Sequence, residues 1–204
     1  DHEKEDNHLN LSNTFLQGAN LGGANLEGAN LRKSHLKKAN LVEADLTEAD
    51  LGRANLGAAN LSGSNLYEAY LGGTNLYKAY LGRVNLGAAY LAGANLGDAN
   101  LEGADLRNAY LGGANLEGTN LDGTNLEAAD FVGPGSLISL SVEQLCHANT
   151  LYFANLNTKC YVNGTQKICK DKYGIRGWDC SEGGNEIDCY DGIKEKCPEL
   201  LEMP

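Results

Sequence analysis

The chain has 204 residues, 42% hydrophobic but only 7% aromatic, with 27 Asp plus Glu against 16 Lys plus Arg and a formal charge of −11. That hydrophobic share excludes wholesale disorder and requires a core built from aliphatic side chains. The acidic balance excludes a nucleic-acid binder that works by neutralising phosphates, and the lack of a run of about 18 apolar residues excludes a membrane-spanning helix.

The first residue is Asp1 rather than Met, so the chain is expected to be a mature or trimmed form. Residues 1–10 (DHEKEDNHLN) are charged and polar and are expected to form a lead-in or cap, with Leu9 covering the start of the repeat region.

From Leu11 to Leu126 every fifth residue is Leu, and Phe131 takes the next place, giving 25 five-residue units. Two positions before each centre from Leu16 to Phe131 stands a small residue: 17 Ala, 4 Thr, 2 Ser and Val84. One position before each stand 14 Asn, 4 Asp, 4 Tyr, His35 and Phe15. A period of five fits neither a helix at 3.6 nor a strand at 2. A helix would also carry Gly or Asn every few residues, each unfavourable by about 0.5–1 kcal/mol. The remaining solution is a coil that turns a corner every five residues and stacks on itself. Leu points to the axis, and the small residue points inward where nothing larger fits. Asn or Asp sits at the corner, where its side chain bonds local backbone and tolerates unusual dihedrals. Gly at the outward positions eases the next turn.

Units such as Ala19-Asn20-Leu21, Ala44-Asp45-Leu46 and Ala104-Asp105-Leu106 resemble the pentapeptide-repeat family, whose motif is Ala-(Asp/Asn)-Leu-x-x. The resemblance implies an all-β solenoid, a right-handed quadrilateral β-helix with four pentapeptides per coil. Residues 11–133 would then make about six coils, a column about 30 Å long at the spacing of hydrogen-bonded strands. Burying each Leu is worth about 1.5–3 kcal/mol, enough for this column to need no cofactor or metal. No Pro occurs before Pro134, as stacked backbone bonding requires.

Residues 134–157 are expected to be a linker and a capping helix. Gly133-Pro134-Gly135 ends the repeat, and Ser141-Val142-Glu143-Gln144 has the form of a capping box. Val142, Leu145, Cys146, Ala148, Leu151 and Tyr152 give that helix an apolar side to lay across the open end of the column. The segment SVEQLCHANTLYFANL is similar to the capping region of pentapeptide proteins from cyanobacteria and the chloroplast lumen.

Residues 158–204 form a Cys-rich tail. All six cysteines (Cys146, Cys160, Cys169, Cys180, Cys189, Cys197) fall in the last 59 residues, which points to disulfide stapling with a pairing the sequence leaves open. That chemistry implies an exported protein, in the periplasm or thylakoid lumen. Their spacings fit no familiar zinc module. Val162-Asn163-Gly164-Thr165 is a two-residue hairpin signal, predicting antiparallel strands over about Thr158 to Ile168. Asn163-Gly164-Thr165 is also a glycosylation sequon, though a turn accounts for it. Asp179, Glu182, Glu186, Asp188 and Asp191 could hold calcium, but Gly183 and Tyr190 break the calcium-loop pattern, and a solvated acidic face is the plainer reading.

No nucleophile motif, phosphate loop or metal-ligand cluster is present, and a column filled with Leu and Ala offers no pocket, so a non-enzyme without cofactor is expected. His2, His8, His35 and His147 are scattered, and His35 is expected to do the polar work of the Asn it replaces. The function expected is structural: a scaffold, monomer or weak dimer, that contacts an unidentified protein partner and neither nucleic acid nor membrane. With 20 residues per coil, Tyr70, Tyr90 and Tyr110 stack in one corner column beside a strip of small residues from Gly52 to Gly113. This ladder is the candidate docking surface, with Tyr67, Tyr77 and Tyr80 on neighbouring sides. The resemblance also implies an alternative, mimicry of DNA to inhibit a topoisomerase. Its rows of carboxylate are interrupted here, and Arg32, Lys33, Lys37, Lys38 and Arg53 make the first coils basic.

Overall fold

The computed structural model describes residues 9–131 together with three short strands, Asn157–Val162 (β1), Thr165–Asp171 (β2) and Trp178–Asp179 (β3). Within 9–131, parallel bridges join each corner residue to the one 20 places later, from Asn10↔Asn30 to Tyr110↔Asp130. One coil therefore holds four five-residue units, and the chain is a four-sided parallel β-solenoid. The first side starts at the corners Asn10, Asn30, Asp50, Tyr70, Tyr90, Tyr110 and Asp130. The second starts at Phe15, His35 and Asn55, the third at Asn20, Asn40 and Asn60, and the fourth at Asn25, Asp45 and Asn65.

Backbone rungs recur at each corner. The Leu31 amide donates up to the Asp50 carbonyl at 2.7 Å, and the Asp50 amide donates down to the Ala29 carbonyl at 2.9 Å. Between corners the chain is spent on a turn. Ser34 N–H donates to Leu31 C=O at 3.1 Å, and Lys33 lies at φ +55°, the signature of a type II turn. So much of each unit is turn that a side pairs through single bridges and builds no continuous strand within residues 9–131.

The left-handed residue recurs at every fifth position from Asn13 to Ala128. The unusual dihedrals expected at the Asn corner therefore do not fall there but three residues later. The corner side chain does bond local backbone: Asn30 Oδ1 accepts the Arg32 amide at 3.1 Å, and Asn55 Oδ1 the Gly57 amide at 3.1 Å. Its amide group also bonds vertically. Asn40 Nδ2 donates to Asn20 Oδ1 and Asn85 Nδ2 to Asn65 Oδ1, both at 2.8 Å.

Every Leu from Leu26 to Leu126, and Phe131, is at most 4% exposed, and the inward Ala, Ser, Thr and Val84 around them are buried with them. Burial of this aliphatic stack is what stabilises the column. At the N-terminal end Leu11, Leu16 and Leu21 are only half-buried. Leu9, expected to cover that coil, is 52% exposed; its contribution is a carbonyl that accepts the Asn30 amide at 2.9 Å.

The predicted hairpin is present. β1 and β2 pair antiparallel with Val162 opposite Thr165, so two residues connect them, and β3 adds to β2. Asn157, assigned to the capping-helix segment, belongs to β1. Cys160 stands opposite Lys167 and Cys169 opposite Thr158, so these two cysteines are offset by two positions and not directly opposite. Residues 1–8 of the lead-in, the capping helix, the pairing of the six cysteines and the acidic stretch Glu182 to Asp191 lie outside the described residues.

Candidate functional site

The first side carries the ladder that the 20-residue spacing anticipates. The Tyr70 and Tyr90 rings stack at 5.0 Å and 4°, and Tyr90 and Tyr110 at 5.1 Å and 18°. Coil pitch sets this spacing, since backbones about 4.8 Å apart place successive rings in offset contact. Beneath the ladder, Arg32 Nη1 pairs with Asp50 at 3.1 Å, and its guanidinium lies 5.9 Å from the Tyr70 ring centre. Above it, Asp130 is bridged to Tyr110.

The strip of small residues is open at Gly93, where a Cβ would meet nothing within 4 Å, but not at Gly52 and Gly72. The Tyr70 ring lies across it: a Cβ built on Gly72 would meet the Tyr70 hydroxyl at 2.7 Å, and one on Gly52 would meet the ring edge at 2.9 Å. Glycine here seats the ring, which remains 41% exposed. The ladder and the strip are one surface.

Tyr67, Tyr77 and Tyr80 are exposed on the fourth, second and third sides, so no single face gathers all six tyrosines. Tyr77 stands beside the Lys78 ammonium, 5.1 Å from its ring centre. Tyr67 borders a surface groove of about 380 Å³ with Asn85, Gly87, Asp105, Arg107 and Asn108. There Arg107 Nη2 donates to Asp105 at 2.7 Å, and its Nε donates to the same carboxylate at 3.0 Å. The Arg107 hydrogen bond holds the Asp105 carboxyl below its ordinary 3.8, against the opposing effect of burial. Asp45 is likewise lowered, first by the Thr47 hydroxyl and then by the Thr47 amide. The Tyr67 phenol is raised by its hydrogen bond to Glu68 and that residue's charge. The groove's charged pair is satisfied within itself, and it brings no nucleophile to a base.

His35 differs from expectation. Its ring stacks on Phe15 at 4.6 Å and 11°, an aromatic contact rather than the polar corner bond of an Asn. Phe15 is 84% exposed. Among the described residues no group of three His, Cys, Asp or Glu could hold a metal, and no helix is long and apolar enough to cross a membrane.

Sorting charge by side reveals what a linear count hides. Over residues 10–79 the first and second sides carry Arg32, Lys33, Lys37, Lys38, Arg53 and Lys78 against Asp50 alone. Over residues 20–69 the third and fourth sides carry Glu27, Glu43, Asp45, Glu48 and Glu68 and no Lys or Arg. The charges themselves are plain in the sequence, but their division between sides emerges only once four units are known to close a coil.

A four-sided column with a filled aliphatic interior and polar ladders at its corners defines a solenoid repeat protein. The chain belongs to the pentapeptide-repeat family, whose model (pentapeptide repeats, eight copies) matches residues 10–47, 44–87, 79–123 and 99–133. The solved pentapeptide-repeat protein Rfr23 of the cyanobacterium Cyanothece 51142 is 35% identical over 55% of this chain and 89% of its own, with a TM-score of 0.51. A pentapeptide-repeat protein of the Arabidopsis thaliana thylakoid lumen is 25% identical over 58% of this chain and 66% of its own, with a TM-score of 0.33. The plasmid-mediated fluoroquinolone resistance protein QnrB1 is 21% identical over 65% of this chain and 74% of its own, at 0.34. Among curated proteins, none is significantly similar to the chain in sequence.

Proposed function

We propose that this protein is a non-catalytic scaffold that holds a protein partner against its first side, with Tyr70, Tyr90 and Tyr110 as the anchor. The observation that carries this reading is the ladder itself, three stacked rings, the first seated over Gly52 and Gly72, with Tyr70 and Tyr90 still 41% and 39% exposed. Tyrosine gives large contact area at low entropic cost and is enriched in interface cores. A stack already fixed by the coil pitch loses little further freedom on binding. The partner has a flat, partly apolar face that can lie along three coils.

In the same reading the column is right-handed, a helix from residues 134–157 covers its end, and disulfides staple the tail in an exported, oxidising compartment. The cyanobacterial relative at 35% identity supports a photosynthetic or related bacterial setting. Duplex mimicry is less favoured, because a duplex is anionic on every side, whereas here one coil carries Arg32, Lys33, Lys37 and Lys38 opposite its carboxylates.

The test uses the full chain as bait in extract of its own source, with and without Tyr70→Asn, Tyr90→Asn and Tyr110→Asn together. Asn is the commonest corner residue, so the column keeps its fold. Loss of a specific captured protein with the triple variant supports the ladder as anchor; identical capture by both retires it. A mass map of the tail under non-reducing conditions tests the compartment, since six free thiols would contradict export.

A further inference from the structure

Lys33, Lys37, Lys38 and Arg53 have no ion-pair partner among the described residues, and neither do Glu27, Glu43 and Glu48. These two unpaired sets face opposite directions. Arg32, Lys33, Lys37 and Lys38 occupy the first and second sides of the coil formed by residues 30–49, while Glu43, Asp45 and Glu48 occupy the third and fourth sides of that same coil. One coil further on, Arg53 and Glu68 repeat the division. Residues 10–79 contain six cations and six carboxylates, so this half of the column is neutral yet polar across its width. The excess negative charge of the chain lies elsewhere.

We infer that this segment is a self-association surface whose occupant is a second copy of the chain. A copy displaced sideways, without rotation or axial shift, brings its acidic fourth side against the basic second side of the first. Lys37 and Lys38 then face Asp45 and Glu48 within the rise of a single coil, and Glu27 and Glu68 continue the acidic side one coil below and one coil above. Both surfaces repeat at the same coil pitch, so the coil that carries these lysines meets the coil that carries these carboxylates. Neutrality of the segment keeps the chain's excess negative charge out of the contact itself. The contact joins two different surfaces and leaves one of each free, so it is heterologous and builds an open row rather than a closed dimer. It uses the second and fourth sides and not the first, which carries the tyrosine ladder, so it stands or falls independently of the scaffold reading.

The experiment is analytical ultracentrifugation of the full chain at about 10 mM and about 150 mM salt, between which the screening length falls from about 30 Å to about 8 Å. Wild type is expected to form species larger than dimers at low salt and to dissociate at high salt. Lys37→Gln and Lys38→Gln together remove the basic surface; Asp45→Asn and Glu48→Gln together remove the acidic one. Each variant alone is expected to be monomeric. Mixed in equal amounts they form a 1:1 dimer and nothing larger, because each retains the surface the other lacks. Circular dichroism identical to wild type confirms that both variants fold. A wild type monomeric at low salt, a dimer that grows no further, or variants that associate as wild type does would each overturn the inference. Binding of polyglutamate to a wild type that stays monomeric would also overturn it, assigning the basic half to a foreign acidic protein.

Discussion

The hydroxyl of Tyr70 lies over the backbone of Gly72, so close that a Cβ added there would sit 2.7 Å from it and 2.8 Å from Cζ. Both atoms belong to a ring held in a stack, so they cannot move aside without breaking the contact to Tyr90 at 5.0 Å. Gly72→Ala is therefore expected to destabilise the column by about 1–3 kcal/mol, the usual cost of overpacking. It should also alter near-ultraviolet circular dichroism as the rings reorient. Gly82 is the control, because a Cβ there meets only the Glu102 carbonyl at 3.8 Å. Equal melting temperatures for the two variants would mean that the ring does not rest on Gly72.

Among the described residues fourteen left-handed positions carry a residue other than Gly. Ala58 at φ +54° and Ala88 at φ +55° have no side-chain contact to lose beyond a methyl group. The left-handed conformation costs an L residue about 1–2 kcal/mol. Glycine relieves that cost but gives back about 0.4–1 kcal/mol through the freer unfolded chain. Ala58→Gly and Ala88→Gly together should raise stability by about 1 kcal/mol, read as a higher urea midpoint at an unchanged slope. A lower midpoint would show that turn strain is absent at this position.

These turns also mark how far the sequence could be read. Leu at every fifth place is a packing signal, and it locates the buried axis from Leu26 to Phe131 correctly. The left-handed residue is a backbone signal that composition only half shows: Gly is the commonest residue at it, but Lys33, Glu43, Glu48 and Arg53 stand there too. That mixed occupancy is why the sequence points to Asn for the strained dihedral. The ladder was legible because residues 20 apart stack. The direction in which each ring leans was not, because it depends on which neighbour lacks a Cβ. The same 20-residue spacing places Phe15 beneath His35, but His substituting for a corner Asn reads as polar until the rings are seen to stack.

The Ser34 hydroxyl is buried and has no hydrogen-bond partner among the described residues. Ser64, in the equivalent inward position, donates to the Leu61 carbonyl at 2.7 Å, and Thr74 donates to the Leu51 carbonyl at 2.7 Å. An unsatisfied buried hydroxyl costs about 1–3 kcal/mol. Ser34→Ala should therefore stabilise the protein by about 1 kcal/mol, in keeping with the Ala found at most of these positions. Thr74→Val keeps the volume but loses its bond and should destabilise by about 0.5–1.5 kcal/mol. Opposite signs in thermal or urea denaturation are the result to look for. Destabilisation by both would mean that the Ser34 hydroxyl finds a partner in solution.

Acid should loosen the fourth side through Asp105. Its carboxyl titrates below the ordinary 3.8 because Arg107 hydrogen-bonds the charged form. A folded-state value below the unfolded one means that the charged carboxylate favours the fold. That contribution is fully present above about pH 4 and is lost as pH falls through the depressed folded value. The pair is substantially solvated, with the Arg107 side chain 54% exposed, so the gain is that of a surface bidentate pair, at most about 1 kcal/mol. Asp105→Asn keeps the acceptor for the Arg107 amide at 3.0 Å and removes only the charge. Wild type should melt above this variant at about pH 6, and the gap should close by about pH 2. High salt at about pH 6 should narrow the gap as well, since the pair is open to solvent. A difference that persists unchanged into acid would assign the stabilisation to the corner hydrogen bond and not to the ion pair.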